Sequence, residues 1–270
     1  MFNCKDPKLT YLNSLGYNVV RLPREGIEPL DVLGRENGGI DDLGPLSLVW
    51  TTTDALPPIA GPKVVPNVNG EKSEQLDLSV GIKILEGILK GMGAALPTLS
   101  GAFQQAKKIQ LQFANVQGFS VRPLEIGNYL QKGDLNLDNN IAAHFFTEED
   151  AQAFIISEVL KSNAIEVIAT DSHGQSISAD LPAISNMVGV NVKVEATGQG
   201  TLKFSYQGPV PLTFGFKVFA IRFENGEWVI RGAKPDAGLS FGLPGEEEEQ
   251  GDPILFKENG LLGEIRKAKQ

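Results

Sequence analysis

The stretch from Val188 to Tyr206 constrains this chain more than any other. Val188, Val190, Val192, Val194 and Ala196 alternate with Gly189, Asn191, Lys193 and Glu195, and Leu202, Phe204 and Tyr206 alternate with Lys203 and Ser205. A repeat of two belongs to a strand, whose successive side chains leave opposite faces; a helix would scatter the same residues around its axis. With Thr197-Gly198-Gln199-Gly200 as its turn, the pattern predicts a hairpin with one apolar and one polar side. Nine residues at a rise of about 3.3 Å span roughly 30 Å, close to the hydrocarbon thickness of a bilayer. A sheet packed on one face and wet on the other has the same pattern, and the spacing leaves both readings open.

A second such stretch lies upstream. Leu76, Leu78, Val80, Ile82 and Ile84 alternate with Asp77, Ser79, Gly81 and Lys83, while Ile84, Leu85, Ile88, Leu89 and Met92 carry the spacing of one helical stripe. The segment supports both periods, as a conformational switch would. Its candidate partner, residues 107–116, alternates Ile109, Leu111 and Phe113 with Lys108, Gln110 and Gln112.

Elsewhere the signals are mixed. Pro7, Leu9, Leu12 and Leu15 predict a short helix over Asp6 to Gly16, and Tyr17 to Leu22 reads as a strand stopped by Pro23 before the apolar Ile27, Leu30, Val32 and Leu33. Leu46 to Thr53 reads as a strand, and Pro57, Pro58, Pro62 and Pro66 mark a loop. Thr147 has the chemistry of an N-cap, with Glu148, Glu149 and Asp150 in the first turn of a predicted helix bearing Phe154, Ile155, Val159 and Leu160. Val218 to Phe223 and Trp228 to Ile230 form a predicted hairpin around Asn225-Gly226, a pair suited to a type I′ turn. Strands and helices do not alternate as βαβ units. The expected class is therefore α+β: a twisted, largely antiparallel central sheet with surrounding helices.

The reactive inventory is thin. Among 270 residues there are one cysteine, Cys4, and two histidines, His144 and His173. One cysteine forbids an intramolecular disulfide and a cysteine-rich metal site, and suits a reducing cytoplasm. No metal and no cofactor is expected. A net charge of −9 argues against a nucleic-acid partner. No secretory signal precedes Cys4 and no window approaches eighteen apolar residues, so the expectation is a cytoplasmic chain without a transmembrane helix. Gly238-Leu239-Ser240-Phe241-Gly242 matches a nucleophile elbow, yet both histidines lie upstream and its surroundings are linker-like. Gly91-Met92-Gly93 lacks the third glycine of a dinucleotide fingerprint, and Asp171-Ser172-His173-Gly174 reads as a turn. Enzymatic chemistry is not expected; a soluble hydrolase using Ser240 and a non-enzymatic binding module are the alternatives.

The carboxyl end changes character. Residues 236–251, with Gly238, Leu239, Leu243, Gly245, four glutamates at 246–249 and Gly251, have the composition of an exposed, protease-accessible linker. Beyond it Ile254, Leu255, Phe256, Leu261, Leu262 and Ile265 offer apolar contacts before a basic end. The expected division is residues 1–243 as one domain and 244–270 as a tail. From Pro244 the tail carries seven acidic and four basic residues, a net of −3, which leaves −6 on residues 1–243.

At the amino terminus Cys4, Tyr11-Leu12, the run Gly16-Tyr17-Asn18-Val19-Val20-Arg21-Leu22-Pro23-Arg24-Glu25-Gly26-Ile27, Pro29-Leu30 and Leu33-Gly34 closely resemble the bacterial gasdermins. The match is specific over about the first 35 residues. The resemblance implies an autoinhibited pore-forming protein of antiphage defence, cytoplasmic and monomeric until a caspase-like or related protease removes its tail. It then becomes a homo-oligomer in the lipid of the inner membrane and causes cell death. It implies an S-palmitoyl group on Cys4, formed by self-acylation and sheltered in an apolar pocket. It also implies that the two alternating regions lengthen into hairpins, their apolar residues against lipid and Lys83, Lys193, Glu195 and Lys203 toward the lumen.

Overall fold

The computed structural model describes residues 12, 15–37, 39–65, 108–148, 150–170, 192–197, 201–233, 252–256, 262–263 and 265–267. Along the chain the strands are β1 (Asn18–Arg24), β2 (Asp31–Glu36), β3 (Gly39–Pro45), β4 (Trp50–Thr51), β5 (Ala60–Val64), β6 (Lys108–Ala114) and β7 (Gln117–Ser120). Then follow β8 (Asp134–Leu135), β9 (Ala151–Thr170), β10 (Val192–Thr197), β11 (Thr201–Glu224), β12 (Glu227–Arg231), β13 (Leu262–Gly263) and β14 (Ile265–Lys267). Among the described residues the helices are short: α1 (Leu46–Val49), α2 (Pro123–Leu130) and α3 (Asn140–Thr147).

Two long antiparallel strands, β9 with 20 residues and β11 with 24, form the spine. Around them a 12-stranded sheet runs in the order β13-β1-β11-β9-β2-β3-β14, with β6, β7, β10 and β12 attached to the spine and β5 to β7. Among the described residues, the pairings within 1–243 are all antiparallel; β13 on β1 and β14 on β3 are parallel.

The helix predicted beyond Thr147 does not form. Thr147 ends α3, its hydroxyl donating to the Ala143 carbonyl at 3.0 Å, and Phe154, Ile155, Val159 and Leu160 belong to β9. The reason lies in what covers the strand. Ala153 and Ile155 enter one core with Trp50, Ile126, Leu130, Phe219 and Ile221, while Phe154, Ile156 and Val159 enter a second with Val20, Ile27, Leu33, Phe216 and Val218. A strand buried on both faces needs no alternation, and a continuous apolar run also satisfies helical spacing.

Three smaller differences have local causes. Leu46 to Val49 is one helical turn rather than strand: Leu46 and Val49, three apart, are buried while Leu48 is 54% exposed. Pro23 does not stop β1, which continues to Arg24 through a register shift, and the proline-marked loop contains β5, paired irregularly with β7. Of the predicted first helix, only Leu12 and the turn at Leu15 and Gly16 are described.

The β11–β12 hairpin has the expected form. Glu224 opposes Glu227 across Asn225 and Gly226, whose φ angles of 53° and 88° are the positive pair a type I′ turn demands. Arg231 closes it with two nitrogens on Glu224 Oε2, at 2.9 and 2.7 Å, and holds that carboxyl below its usual range. α3 sits against β2 because Gly34 lacks a side chain: a Cβ there would come within 2.6 Å of the Phe145 ring.

Candidate functional site

Beyond residue 163 of β9 the spine has new neighbours on its two sides. β6 pairs with β9, and β10 pairs with β11, giving the four-strand order β6-β9-β11-β10. Register then sets which residues stand in a row. Ile109, Ala169, Leu202 and Ala196 oppose one another in one row; Leu111, Val167, Phe204 and Val194 in the next but one; Phe113, Ile165, Tyr206 and Val192 in a third. Interleaved with these are Lys108-Thr170-Thr201-Thr197, Gln110-Ile168-Lys203-Glu195 and Gln112-Glu166-Ser205-Lys193. Since alternate rows of a sheet share a face, the four strands present one apolar and one polar set, with Ile168 of β9 the exception in the polar rows. A slip of one residue in any strand would mix the two sets. Within the polar rows Lys203 pairs with Glu166 at 2.8 Å and Lys193 with Glu195.

A sharp discontinuity separates this extension from the body. Gln207 opposes Ala164, yet Leu212 already opposes Ser162, so Gly208-Pro209-Val210-Pro211 bows out opposite Asn163 alone. Neither proline has an N–H to offer a ladder. Tyr206 closes over the bow: it is 6% exposed, its hydroxyl donates to the Val210 carbonyl at 2.9 Å, and a Cβ on Gly208 would lie 2.1 Å from that hydroxyl. Phe113 stacks on Phe214 at 4.0 Å with planes 8° apart. Phe113 and Tyr206, expected at the ends of apolar hairpins, therefore sit at the root of the extension, packed against the body.

The second constellation surrounds residues 252–267. Asn18, a buried polar residue at 4% exposure, donates from Nδ2 to the Ile254 carbonyl and accepts the Phe256 N–H at Oδ1, both at 2.8 Å. Ile254 N–H donates to the Val218 carbonyl at 2.9 Å, and the Ala233 N–H donates to the Asp252 carbonyl at 2.7 Å. Ile254 and Phe256 pack against the core of Phe154, Phe216 and Val218; the Phe256 ring meets Phe154 edge-on at 4.9 Å and lies 5.7 Å beneath the Arg35 guanidinium. Leu255 is half-buried. Leu262–Gly263 pairs with Val19–Val20, and Ile265–Lys267 with Ile40–Asp42. Beside Asn18, the Tyr17 hydroxyl donates to Glu158 at 2.6 Å under the Lys217 ammonium, 4.4 Å above the Tyr17 ring. Burial first, then Glu158, keeps that hydroxyl protonated well above its usual range.

Several expected residues lie outside the described ones: Cys4, Leu76, Leu78, Val80, Ile82, Ile84, Val188, Val190, Leu261, Ser240, His173 and the linker positions Gly238, Leu239, Leu243, Gly245 and Gly251. Sequence reasoning missed Ile165, Val167 and Ala169, where the alternation is spoiled by Ile168, and Asn18, which carried no signal of its own. His144 lies beside Glu36, its Nε2 3.1 Å from the carboxylate, with the Phe145 ring edge-on to it. Among the described residues no helix is long and apolar enough to cross a membrane, and no group of three or more His, Cys, Asp or Glu residues is placed to hold a metal ion.

Comparison with known proteins agrees with these features. The family model described as the Bacterial Gasdermin Family matches residues 20–227. The chain is similar to the gasdermin bGSDM of Vitiosangium sp. (strain GDMCC 1.1324), 38% identical over 261 residues, which cover 96% of this chain and 97% of the relative. It is also similar to the gasdermin bGSDM of Lysobacter enzymogenes, 32% identical over 228 residues and 83% of each chain. Its fold is that of a bacterial gasdermin from Bradyrhizobium tropiciagri, with a TM-score of 0.62, 16% identity and 98% of both chains covered. The chain belongs to the bacterial gasdermin family.

Proposed function

We propose that this chain is the autoinhibited precursor of a membrane pore that kills the cell in antiphage defence. The observation that carries the reading is the set of three apolar rows interleaved with polar ones across β6, β9, β11 and β10. In lipid every backbone polar group needs a partner, so strands cross only as closed barrels with apolar residues outward and polar residues toward the lumen. The seven residues of β6 span about 23 Å, near the roughly 25 Å apolar band of such barrels. The sheet of β6, β9, β11 and β10 supplies four strands per protomer, and residues 76–84 and 188–191 carry the same alternation in sequence. Closing a ring then takes many copies.

Residues 1–243 form the inserting part and 244–270 the inhibitory tail, held by Ile254, Phe256 and the strand pairings. A caspase-like or related protease cuts within 236–251. Before the cut the protein is a cytoplasmic monomer; after it, a homo-oligomer in the inner membrane. Residues 1–243 carry −6, so electrostatic attraction to anionic lipid does not supply the affinity. The apolar rows and a palmitoyl group on Cys4 supply it instead. One acyl chain alone gives only marginal binding, and the sheet completes insertion. No catalytic residue, metal or soluble cofactor enters this scheme.

Cutting the full chain between Gly238 and Gly251 in the presence of liposomes is expected to release an entrapped dye, while the intact chain releases none. Retention of dye by liposomes exposed to the cut protein overturns the proposal. Intact-mass analysis of native protein is expected to show an acyl adduct on the Cys4 peptide, and a free thiol throughout counts against lipidation.

A further inference from the structure

The four-strand extension and the body share β9 and β11, yet the sheet between them is interrupted at a single level. Along β9 that level is Ser162 and Asn163. On one side of it β6 ends at Ala114, opposite Ala164, and β7 begins at Gln117, opposite Lys161, with Asn115 between them at a φ of 53°. On the other side β11 leaves the ladder after Gln207, opposite Ala164, and rejoins it at Leu212, opposite Ser162. Five steps along β11 thus match two along β9, a surplus of three residues. The strand beyond β11 changes there as well, from β10, which pairs Val192 with Tyr206, to β1, which reaches Thr213. Side chains take over where the ladder stops. Ser162, wholly buried, donates from Oγ to the Ala114 carbonyl at 2.6 Å and accepts the Ala164 N–H at 3.1 Å, and Asn115 Nδ2 donates to Asn163 Oδ1 at 3.1 Å.

We propose that this seam is a hinge, and that the surplus residues of β11 are the slack that lets the extension turn against the body as one plate. Bending a sheet across its strands lengthens the path on the outside of the bend, and a strand held in register on both sides of the bend cannot supply that length. β6 and β7 keep one register with β9 through the seam, so the slack is confined to β11. A single extra residue already bends a strand and raises its twist; three, at about 3.3 Å each, amount to roughly 10 Å of chain. Pro209 and Pro211 keep the slack from being drawn into the ladder, because neither has an N–H to pair. Two contacts bridge the seam and hold its present angle: Phe113 of the extension stacked on Phe214 of the body, and the Tyr206 hydroxyl on the Val210 carbonyl. Pro209 and Val210 are exposed, so this part of the bow changes shape without opening a core. In the proposed pore the body stays in water while the extension crosses lipid, and turning at the seam reorients the rows without disturbing their register.

The hinge rests on the register of the intact chain; its use in insertion rests on the proposed function, and the two are tested apart. Spin labels at Thr201 and Gln117, in the full chain with Cys4→Ser, flank the seam at roughly 30 Å, since their partners Thr170 and Lys161 lie nine residues apart on β9. In solution their distance distribution is expected to be about twice as broad as in a variant lacking Pro209-Val210-Pro211, in which the ladder runs through without surplus. Insertion of Gly-Gly after Val210 lengthens an exposed segment and leaves the ladders alone, so it is expected to fold and to broaden the distribution further. A width unchanged by the insertion, or by a deletion variant that still unfolds cooperatively in urea, overturns the hinge. With Cys4 retained, the cut deletion protein is expected to release dye from liposomes about tenfold more slowly than the cut parent, and the insertion variant at the parental rate. Release by the deletion variant at the parental rate overturns the use of the hinge in insertion. No release by the cut parent counts against the proposed function, and the distances still decide the hinge.

Discussion

β9 is one strand with two environments. From Ala153 to Ile156 it is apolar on both sides and enclosed by two cores, the second of which Val159 also joins. From Ser162 to Thr170 it contributes Ile165, Val167 and Ala169 to apolar rows and Glu166 and Thr170 to polar ones. The first half is built to stay inside protein; the second, in the proposed pore, separates two solvents. A strand can serve both purposes because its period of two is indifferent to what lies on either face; only the residues decide.

That contrast predicts opposite phenotypes. Phe154→Ala, in the enclosed half, should lower stability by about 3–5 kcal/mol, because it removes the ring packed on Phe256 and leaves a cavity in a core that cannot close over it. Urea unfolding of the intact chain measures this. Val167→Asp, in the two-faced half, should abolish dye release by the cut protein while the urea midpoint of the intact protein moves little. An aspartate in an apolar row costs about 2–4 kcal/mol at the membrane midplane at most, but the cost recurs in every protomer of a ring. If Val167→Asp instead unfolds the intact chain, the two halves are alike and the comparison fails.

The boundary between the halves offers a third test. Gly208→Ala places a methyl where the Tyr206 hydroxyl now lies, so either the ring leaves the Gly208-Pro209-Val210-Pro211 bow or the bow itself shifts. An expected loss of about 1–3 kcal/mol in urea unfolding follows from overpacking. Tyr206→Phe, which keeps the ring and loses only the bond to Val210, should cost about 1 kcal/mol. Equal stability of both variants and the parent would mean that the bow is not held by Tyr206.

How much of this was legible in the sequence follows the same division. The extension was readable on β10, the start of β11 and β6, because Val192, Val194, Leu202, Phe204, Ile109 and Leu111 keep strict alternation, and the Asn225-Gly226 turn names its own geometry. The first part of β9 reads as a helix in sequence, since Phe154, Ile155, Val159 and Leu160 fit a helical stripe as well as a doubly buried strand. Deciding between these requires knowing that β2 and β11 lie on its two sides, which is information from residues 32–36 and 213–221 rather than from β9. The tail was visible as an apolar segment after a linker, but its pairing with β1 and β3 was not: strands of two and three residues have no period, and their pairing is dictated by edges more than 200 residues away. Asn18 was unremarkable for the same reason, its two partners lying at 254 and 256.

The smallest expected effect concerns how the enclosed half of the spine is covered. The segment between β1 and β2 lies over it, with Ile27 in the core, Glu28 paired to Lys161 of β9, and the Leu30 N–H on the Ile156 carbonyl at 2.8 Å. Asp31 caps this segment by accepting the Glu28 N–H at 2.7 Å, and it is itself buried. Burial pushes its carboxyl up to about 6, with Asp42 and Glu28 adding to the shift and the Glu28 N–H and Lys161 opposing it. The folded chain thus binds a proton that the unfolded chain has already released near pH 4, so between about pH 4 and 6 stability falls as pH rises, and the ionised carboxylate remains a cost at neutral pH. Asp31→Asn keeps an acceptor for the Glu28 N–H and removes the titration. The expected result is a gain on the order of 1 kcal/mol at pH 7 and a flatter stability profile between pH 4 and 6, measured by urea unfolding across that range. A loss of stability at pH 7 would show instead that Lys161 depends on the Asp31 charge, and that the cover over the enclosed half is held electrostatically rather than by burial.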